Sequence, residues 1–415
     1  ATTEMHTRRA QEAGGREGPY GGAWLQNGNG VAANSVQISM GGAEAAEENF
    51  RSKKVKGLTG ERFTHPWEVE KPSFSAMMEF FWKQPLRPGL PTKTEIEQAL
   101  PLAETEWARV RNPDPRHVTL TWIGHSSFLV QLGGVNLLCD PVFTGRASPV
   151  SFAGPWRYAK LPFTVQDLKD RAIPIHAVLI SHSHYDHLCL ETVQALGNSP
   201  RYFVGLGLAA WFKDIGITNV QEMDWWEETP FSPVPRTVGY GASSPSPPLA
   251  FGTGGSAFGV AGGGGGGVTV VCAPCQHWSA RTAWDPLKTL WCSWAVKAPG
   301  GASFFFGGDT AMCPAFAAIG EKHGPFSVAA LPIGAFLPRR MFKTHHASPE
   351  DSVEIHQHVR AVKSVGCHWG TLRQKALENV LDPPKLLAAE VERLGLGKEA
   401  FTVMRHGETR SFPPP

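Results

Sequence analysis

The stretch from Ile180 to Leu188 constrains this chain more than any other. It sets three histidines and a carboxylate in the order H-x-H-x-D-H (His182, His184, Asp186, His187), directly behind the apolar run Ala177-Val178-Leu179-Ile180. Side chains alternate along a strand, so His182 and His184 project from one face where the strand ends. A turn can then carry Asp186 and His187 round to the other side of a common point. One short segment thereby offers two ligands to one metal ion and two to a neighbouring ion. Imidazole and carboxylate together suit zinc, and iron or manganese are served by the same donors. A solvated turn that merely happened to be rich in histidine would have no reason to keep this order and spacing.

Three more ligand-type residues each follow an apolar, strand-like run. Val268 to Cys272 leads to His277, within Gln276-His277-Trp278. Ser303-Phe304-Phe305-Phe306 leads through Gly307-Gly308 to Asp309, and Ala361 to Cys367 leads to His368. With the histidine motif, these residues are expected along one edge of a sheet, at strand ends, where sites on a rigid scaffold assemble. His125, alone in the turn Gly124-His125-Ser126-Ser127, reads as structural or as a partner to a ligand.

Length and composition set the surroundings. At 415 residues the chain is long enough for two or three domains, and 42% hydrophobic residues supply a large core. A net charge of +2 gives no electrostatic case for nucleic-acid binding, though a local basic patch still suits an anionic membrane surface. The seven cysteines are odd in number and scattered through apolar segments, which reads as reduced core thiols in an intracellular protein, Cys272-x-x-Cys275 included. No signal-peptide pattern and no stretch of about twenty apolar residues is visible.

Residues 1–55 are rich in Gly, Ala, Glu and Asn and are expected to be disordered. Residues 56–117 form an arm, with the aromatic cluster Met77-Met78-Glu79-Phe80-Phe81-Trp82, that packs on the core or dips into a membrane. The structured core spans 118–412, opening with the strand Val118 to Ile123 and the hairpin around Gly133-Gly134. Within it, 241–267 is a Ser-Pro and poly-Gly insertion outside the fold's elements.

The order of these motifs resembles the metallo-β-lactamase superfamily, and within it the N-acylphosphatidylethanolamine-hydrolysing phospholipases D. Besides the histidine motif, the likeness rests on Asp224-Trp225-Trp226-Glu227-Glu228, Gln276-His277-Trp278 and Phe304-Phe305-Phe306-Gly307-Gly308-Asp309-Thr310. It continues through Leu331-Pro332-Ile333-Gly334-Ala335, His368-Trp369-Gly370-Thr371 and His406-Gly407-Glu408, covering roughly 60–412. The resemblance implies an α/β fold, a four-layer αβ/βα sandwich in one domain, in place of the two or three domains suggested by length. It implies two zinc ions per chain: His182, His184 and His277 on one, Asp186, His187 and His368 on the other, and Asp309 bridging. Tyr185 and His346 match positions that contact the substrate phosphate. Cys189 departs from the pattern, standing where a carboxylate is usual, and the Arg339-Arg340 pair lies in what resembles the substrate-side loop.

The activity implied is a phospholipase D cut that releases an N-acylethanolamine and leaves phosphatidic acid. Asp309 would orient the attacking water, and His346 and Tyr185 would hold the phosphate. The implied partners are a phospholipid substrate, a membrane surface met peripherally, and a second copy of the chain as a homodimer on intracellular membranes. Three other readings compete: a lactonase or soluble phosphodiesterase on the same site, a non-catalytic metal-binding scaffold, and a structural zinc protein. A scaffold would usually have lost a ligand, and a structural site would close four protein ligands on one ion.

Overall fold

The run Ser303-Phe304-Phe305-Phe306 illustrates how the chain builds its layers. In the computed structural model, Phe305 faces the helix Ala315–His323, with its ring 6.3 Å from that of Phe316. Phe304 and Phe306 turn the other way, stacked 6.4 Å apart, and Phe306 meets Phe128 of a second sheet at 6.5 Å. Four consecutive buried residues thus serve a helix–sheet interface and a sheet–sheet interface at once. The structure describes residues 47–57, 60–86, 88–150, 152–233 and 267–415.

A hairpin of β1 (Lys53–Gly57) and β2 (Gly60–Thr64) precedes the two main sheets. The first main sheet contains β3 (Val118–Gly124), β4 (Ser127–Leu132), β5 (Val135–Cys139), β6 (Ala177–Ile180), β7 (Arg201–Gly205) and β8 (Val220–Met223). The second contains β9 (Glu228–Phe231), β10 (Val268–Ala273), β11 (Ser293–Lys297), β12 (Ser303–Phe306), β13 (Phe326–Pro332), β14 (Ala361–Cys367) and β15 (Phe401–Val403). The last strand, β16 (Thr409–Phe412), returns to the first sheet and pairs with β3. The orders are β16-β3-β4-β5-β6-β7-β8 and β15-β14-β13-β12-β11-β10-β9.

Each sheet is antiparallel in one half and parallel in the other. Pairing turns parallel from β5 to β8 and from β12 to β15. The parallel strands β6 and β13 are buried along their whole length, which is why they read as unbroken apolar runs. Outside the first sheet, Val193 and Phe212 of the flanking helices share a cluster with Val178 and Val204. Helices Ala315–His323, Pro349–His358 and Pro383–Arg393 cover the other sheet, completing the four-layer αβ/βα sandwich expected from the sequence.

Ordered structure begins before the expected boundary at residue 55. Residues 47–55 are ordered rather than disordered: Phe50 is buried, its ring lies 5.7 Å from Trp67, and its carbonyl accepts the Trp226 indole N–H. Trp67 in turn stacks on Trp225 and donates to Gln276 Oε1 at 2.7 Å, so the start of the arm is built into the core. Large aromatic area and a satisfied indole outweigh the polar composition of the flanking sequence. Residues 1–46 lie outside the described residues. So do residues 241–266 of the insertion, while Val268 and Phe231, on either side of it, are register partners in β10 and β9.

Gly320 marks a close approach between helices. A Cβ built there runs into the carbonyl oxygen of His358, at the end of the helix Pro349–His358. Helix propensity alone would make Gly320→Ala stabilising by about 1 kcal/mol. The clash reverses the sign, and a loss of about 1–3 kcal/mol is expected. Urea unfolding checks this, and a midpoint equal to or above that of the parent would refute it.

Candidate metal centre

The loop that follows β6 is held at several points. Asp140, at the end of β5, is fully buried with φ 37° and accepts from Ser181 N at 2.7 Å and Ser181 Oγ at 2.5 Å. Arg281 Nη1 donates to the carbonyls of Ser183 and Leu188, each at 2.9 Å, clasping the motif at both ends. Opposite the loop, Gly308 (φ 59°) lets the Asp309 turn come close. A Cβ on Gly308 would lie 2.7 Å from Ser181 Cβ.

Within this frame the donors sort into two groups. His182 Nε2 and His184 Nδ1 are 2.8 Å apart, and His277 Nε2 is 3.3 Å from the same His184 nitrogen. On the other side, Asp186 Oδ2 is 3.9 Å from His187 Nε2 and 3.7 Å from His368 Nε2. Asp309 stands between them: its Oδ2 is 3.8 Å from His277 Nε2, 3.2 Å from His187 Nε2 and 3.0 Å from His368 Nε2. His346 Nδ1 is 3.8 Å from that oxygen as well.

The outward nitrogens explain why the inward ones are aimed. His187 Nδ1 donates to Asp140 at 2.6 Å, His277 Nδ1 to the carbonyl of His345 at 2.7 Å, and His368 Nδ1 to that of Gly334 at 3.3 Å. His182 Nδ1 meets Ser181 Oγ at 2.9 Å, whose own proton goes to Asp140. Each of these rings is therefore oriented with its other nitrogen facing inward, the nitrogen through which an imidazole would bind a cation. Asp140 reaches one ring in each group, directly for His187 and through Ser181 for His182. Inside, His187 Nε2 and Asp309 Oδ1 are buried with no hydrogen-bond partner. Unpaired buried polar atoms are costly, and cations would satisfy them. The donor set and its orphaned atoms fit divalent metal.

The electrostatics differ between the groups. Burial pushes the imidazoles of His182 and His277 well below the ordinary range and that of His184 to about 4. Burial also opposes charge on His187 and His368, but the carboxylates of Asp309 and Asp186 overcome it, raising His187 well above its usual value and His368 to about 9. In the other direction, burial acts to raise Asp309 and Asp186, yet the His187 imidazole beside them holds both well below the carboxylate range. An incoming cation would take the place of those histidine protons.

All seven residues expected as ligands come together here, from two sheets rather than along the edge of one. His182 to His187 follow β6, whereas His277, Asp309 and His368 follow strands of the second sheet. The backbone hydrogen bond from Cys292 N to Ser181 O (2.9 Å) ties the two sheets together at this end. His125, with φ 54°, sets its Nε2 3.1 Å from Asp186 Oδ2, so it holds a ligand-type carboxylate. His346 joins the cluster, and Arg339, which pairs with Asp351, donates to its carbonyl.

Tyr185 does not join. Its ring lies under the Arg281 guanidinium at 4.2 Å and lines a cavity of about 220 Å³ with Trp211 and Cys189. The Tyr185 ring thus packs against the arginine that clasps the loop. Cys189, where a carboxylate was usual, sits 3.4 Å from Glu191 and 3.5 Å from Thr144. Two residues escaped the sequence reading: Asp140, whose only signal was a carboxylate at a strand end before Pro141, and Arg281, which had none.

Comparison with known proteins agrees with this geometry. Residues 135–369 match the family described as the Beta-lactamase superfamily domain. The N-acyl-phosphatidylethanolamine-hydrolyzing phospholipase D 1 of Caenorhabditis elegans is 37% identical over 298 residues, covering 69% of this chain and 74% of that protein. The mitochondrial N-acyl-phosphatidylethanolamine-hydrolyzing phospholipase D of Saccharomyces cerevisiae is 28% identical over 296 residues, 70% of this chain but 55% of the yeast protein. Among solved structures, an isothiocyanate hydrolase from Delia radicum gut bacteria superposes with a TM-score of 0.52 at 18% identity, over 72% of this chain and 100% of that one, a likeness of fold alone.

Because Asp140 orients one ring in each group, Asp140→Asn is expected to weaken affinity for divalent metal about 10–100-fold. Competition with a chromogenic chelator measures it. Parental affinity in a folded variant would show that the rings hold their aim without the carboxylate.

Proposed function

This chain belongs to the hydrolases of the metallo-β-lactamase superfamily, in the branch that includes the Caenorhabditis elegans phospholipase, and on that premise we propose that it hydrolyses N-acylphosphatidylethanolamine to an N-acylethanolamine and phosphatidic acid. The observation that carries this reading is the position of Asp309, whose one oxygen lies within 3.8 Å of donors from both groups. His182, His184 and His277 would hold one zinc ion, Asp186, His187 and His368 a second, and Asp309 would be shared. Bound there, the pair would supply an activated water and positive charge beside the phosphoryl oxygens.

The remaining work falls to the chain's own side chains. His346 is the ring left over at the mouth of the cluster, and burial holds it neutral by lowering it to about 3. A neutral imidazole keeps one N–H to donate to a phosphoryl oxygen, and Arg339 fixes its backbone. The unpaired Oδ1 of Asp309 is an acceptor that can orient the attacking water toward phosphorus.

Access for a lipid is supported by the helix Phe74–Lys83. Ser73 caps it, and Ala76 and Phe80 face inward, Phe80 at 5.6 Å from Phe342. Phe342 in turn lies 5.7 Å from His346, so two ring contacts separate this helix from the cluster. Its outer side leaves Phe74, Phe81 and Trp82 exposed, Trp82 at 76%. An apolar face of this kind beside Lys83 and Arg340 suits peripheral docking on an anionic bilayer. No helix among the described residues is long and apolar enough to cross a membrane. The yeast relative is named as mitochondrial.

Two experiments test the reading. The zinc-loaded chain should release N-acylethanolamine and phosphatidic acid from N-acylphosphatidylethanolamine in mixed micelles, and Asp309→Asn should lower the rate by at least about 10³-fold. Absence of turnover with two metals bound would redirect the assignment to a soluble ester or phosphodiester. Phe81→Glu with Trp82→Glu should reduce sedimentation with anionic liposomes several-fold while sparing turnover of a micellar substrate. Undiminished liposome binding would remove this helix as the docking element.

A further inference from the structure

The metal centre leaves one partly buried cation unexplained. Arg157 donates through Nε to the Thr144 carbonyl at 3.2 Å and through Nη2 to that of Val142 at 2.7 Å. Its Nη1 is buried and finds no acceptor, and among the described residues no acidic side chain pairs with it. Burial lowers the guanidinium to about 10. An unpaired charge held this way is costly unless something brings it an anion.

Arg157 lines a cavity of about 640 Å³ between the helix Lys93–Ala99 and the segment 156–160. Buried His406 lies with it at the floor, and Ile96, Leu100 and Tyr158 form apolar wall. The rim exposes Leu102 and Trp156, at 43% and 42%, together with Lys93 and Lys160. The acidic lining residue, Glu97, is taken up by Lys160 at 3.0 Å. The lining therefore combines an uncompensated positive floor with an apolar wall that runs out to an apolar rim. None of the seven clustered ligand-type residues takes part in it.

We propose that this cavity binds a single-chain amphiphile with an anionic head, a carboxylate or a phosphate monoester. The head meets Arg157 at the floor, and the hydrocarbon chain lies along Ile96 and Leu100 toward Leu102 and Trp156. The volume suits one chain and falls within the span of about 300–1,000 Å³ usual for small-molecule pockets. A guanidinium gives the head charge-assisted hydrogen bonds, and the wall shields the chain from water. The floor is connected to the metal centre: His406 Nε2 meets Thr371 Oγ1 at 2.9 Å, that hydroxyl accepts from His125 N at 2.7 Å, and His125 Nε2 lies 3.1 Å from Asp186.

Calorimetric titration of the whole chain with dodecanoate, monododecyl phosphate and dodecanol, each below its micellar concentration, tests the proposal. One site per chain is expected for at least one anion, with dodecanol at least tenfold weaker, and the better anion identifies the head. Arg157→Met should abolish the preference for anion over alcohol. Lys160→Glu, at a largely exposed side chain, should weaken the anion several-fold and decides the matter if Arg157→Met does not fold. Asp309→Asn should leave binding unchanged. Equal affinity for dodecanol, anion binding that survives both cavity substitutions, or loss of binding in Asp309→Asn would each overturn the assignment.

Discussion

A single buried carboxylate sets the geometry on which the candidate site depends. Asp140 has no exposed surface, yet it accepts three hydrogen bonds, from the Ser181 amide, the Ser181 hydroxyl and the His187 imidazole. Burial leaves its proton affinity raised overall, while the His187 ring and the Ser181 donors converging on it work the other way. Through these bonds the end of β5 determines where the loop after β6 begins and how two of its rings are turned. Removing such a hub leaves donors unsatisfied as well as rings free, which is why it matters more than any one contact.

The same logic extends to the architecture. Two sheets with matching halves place their strand ends side by side, and each contributes donors to one cluster. Gly308 allows the second sheet's Asp309 turn to come within van der Waals reach of Ser181 in the first. His368, held at φ 61°, donates its backbone N–H to the carbonyl of His125, in the turn between β3 and β4. Strained backbone at these positions is maintained by contacts from both sheets, a cost that appears where side chains must converge.

Around this rigid centre the surface divides its tasks. The helix Phe74–Lys83 turns Phe80 inward toward Phe342 and His346 while leaving Phe81 and Trp82 to solvent. Tyr185 and Arg281 form a clasp on the histidine loop. Arg157 stands apart from both, a cation held by backbone carbonyls at the floor of its own cavity.

Much of this was legible along the chain because its signals are local. A period of two after an apolar run predicts that His182 and His184 share a face, and the strands ending before His277, Asp309 and His368 follow their apolar runs to within one residue. The donor types, the four-layer class and the family likeness follow from motif order alone. Other features depend on residues far apart in sequence. Polar composition hid the ordering of Phe50, which is decided by Trp226, 176 positions away. The role of Asp140 required β5 beside β6, and Tyr185 turned to Arg281 rather than to the cluster because its ring finds a guanidinium there. Local periodicity determines which residues face inward; only the packing of one sheet on another decides which of them meet.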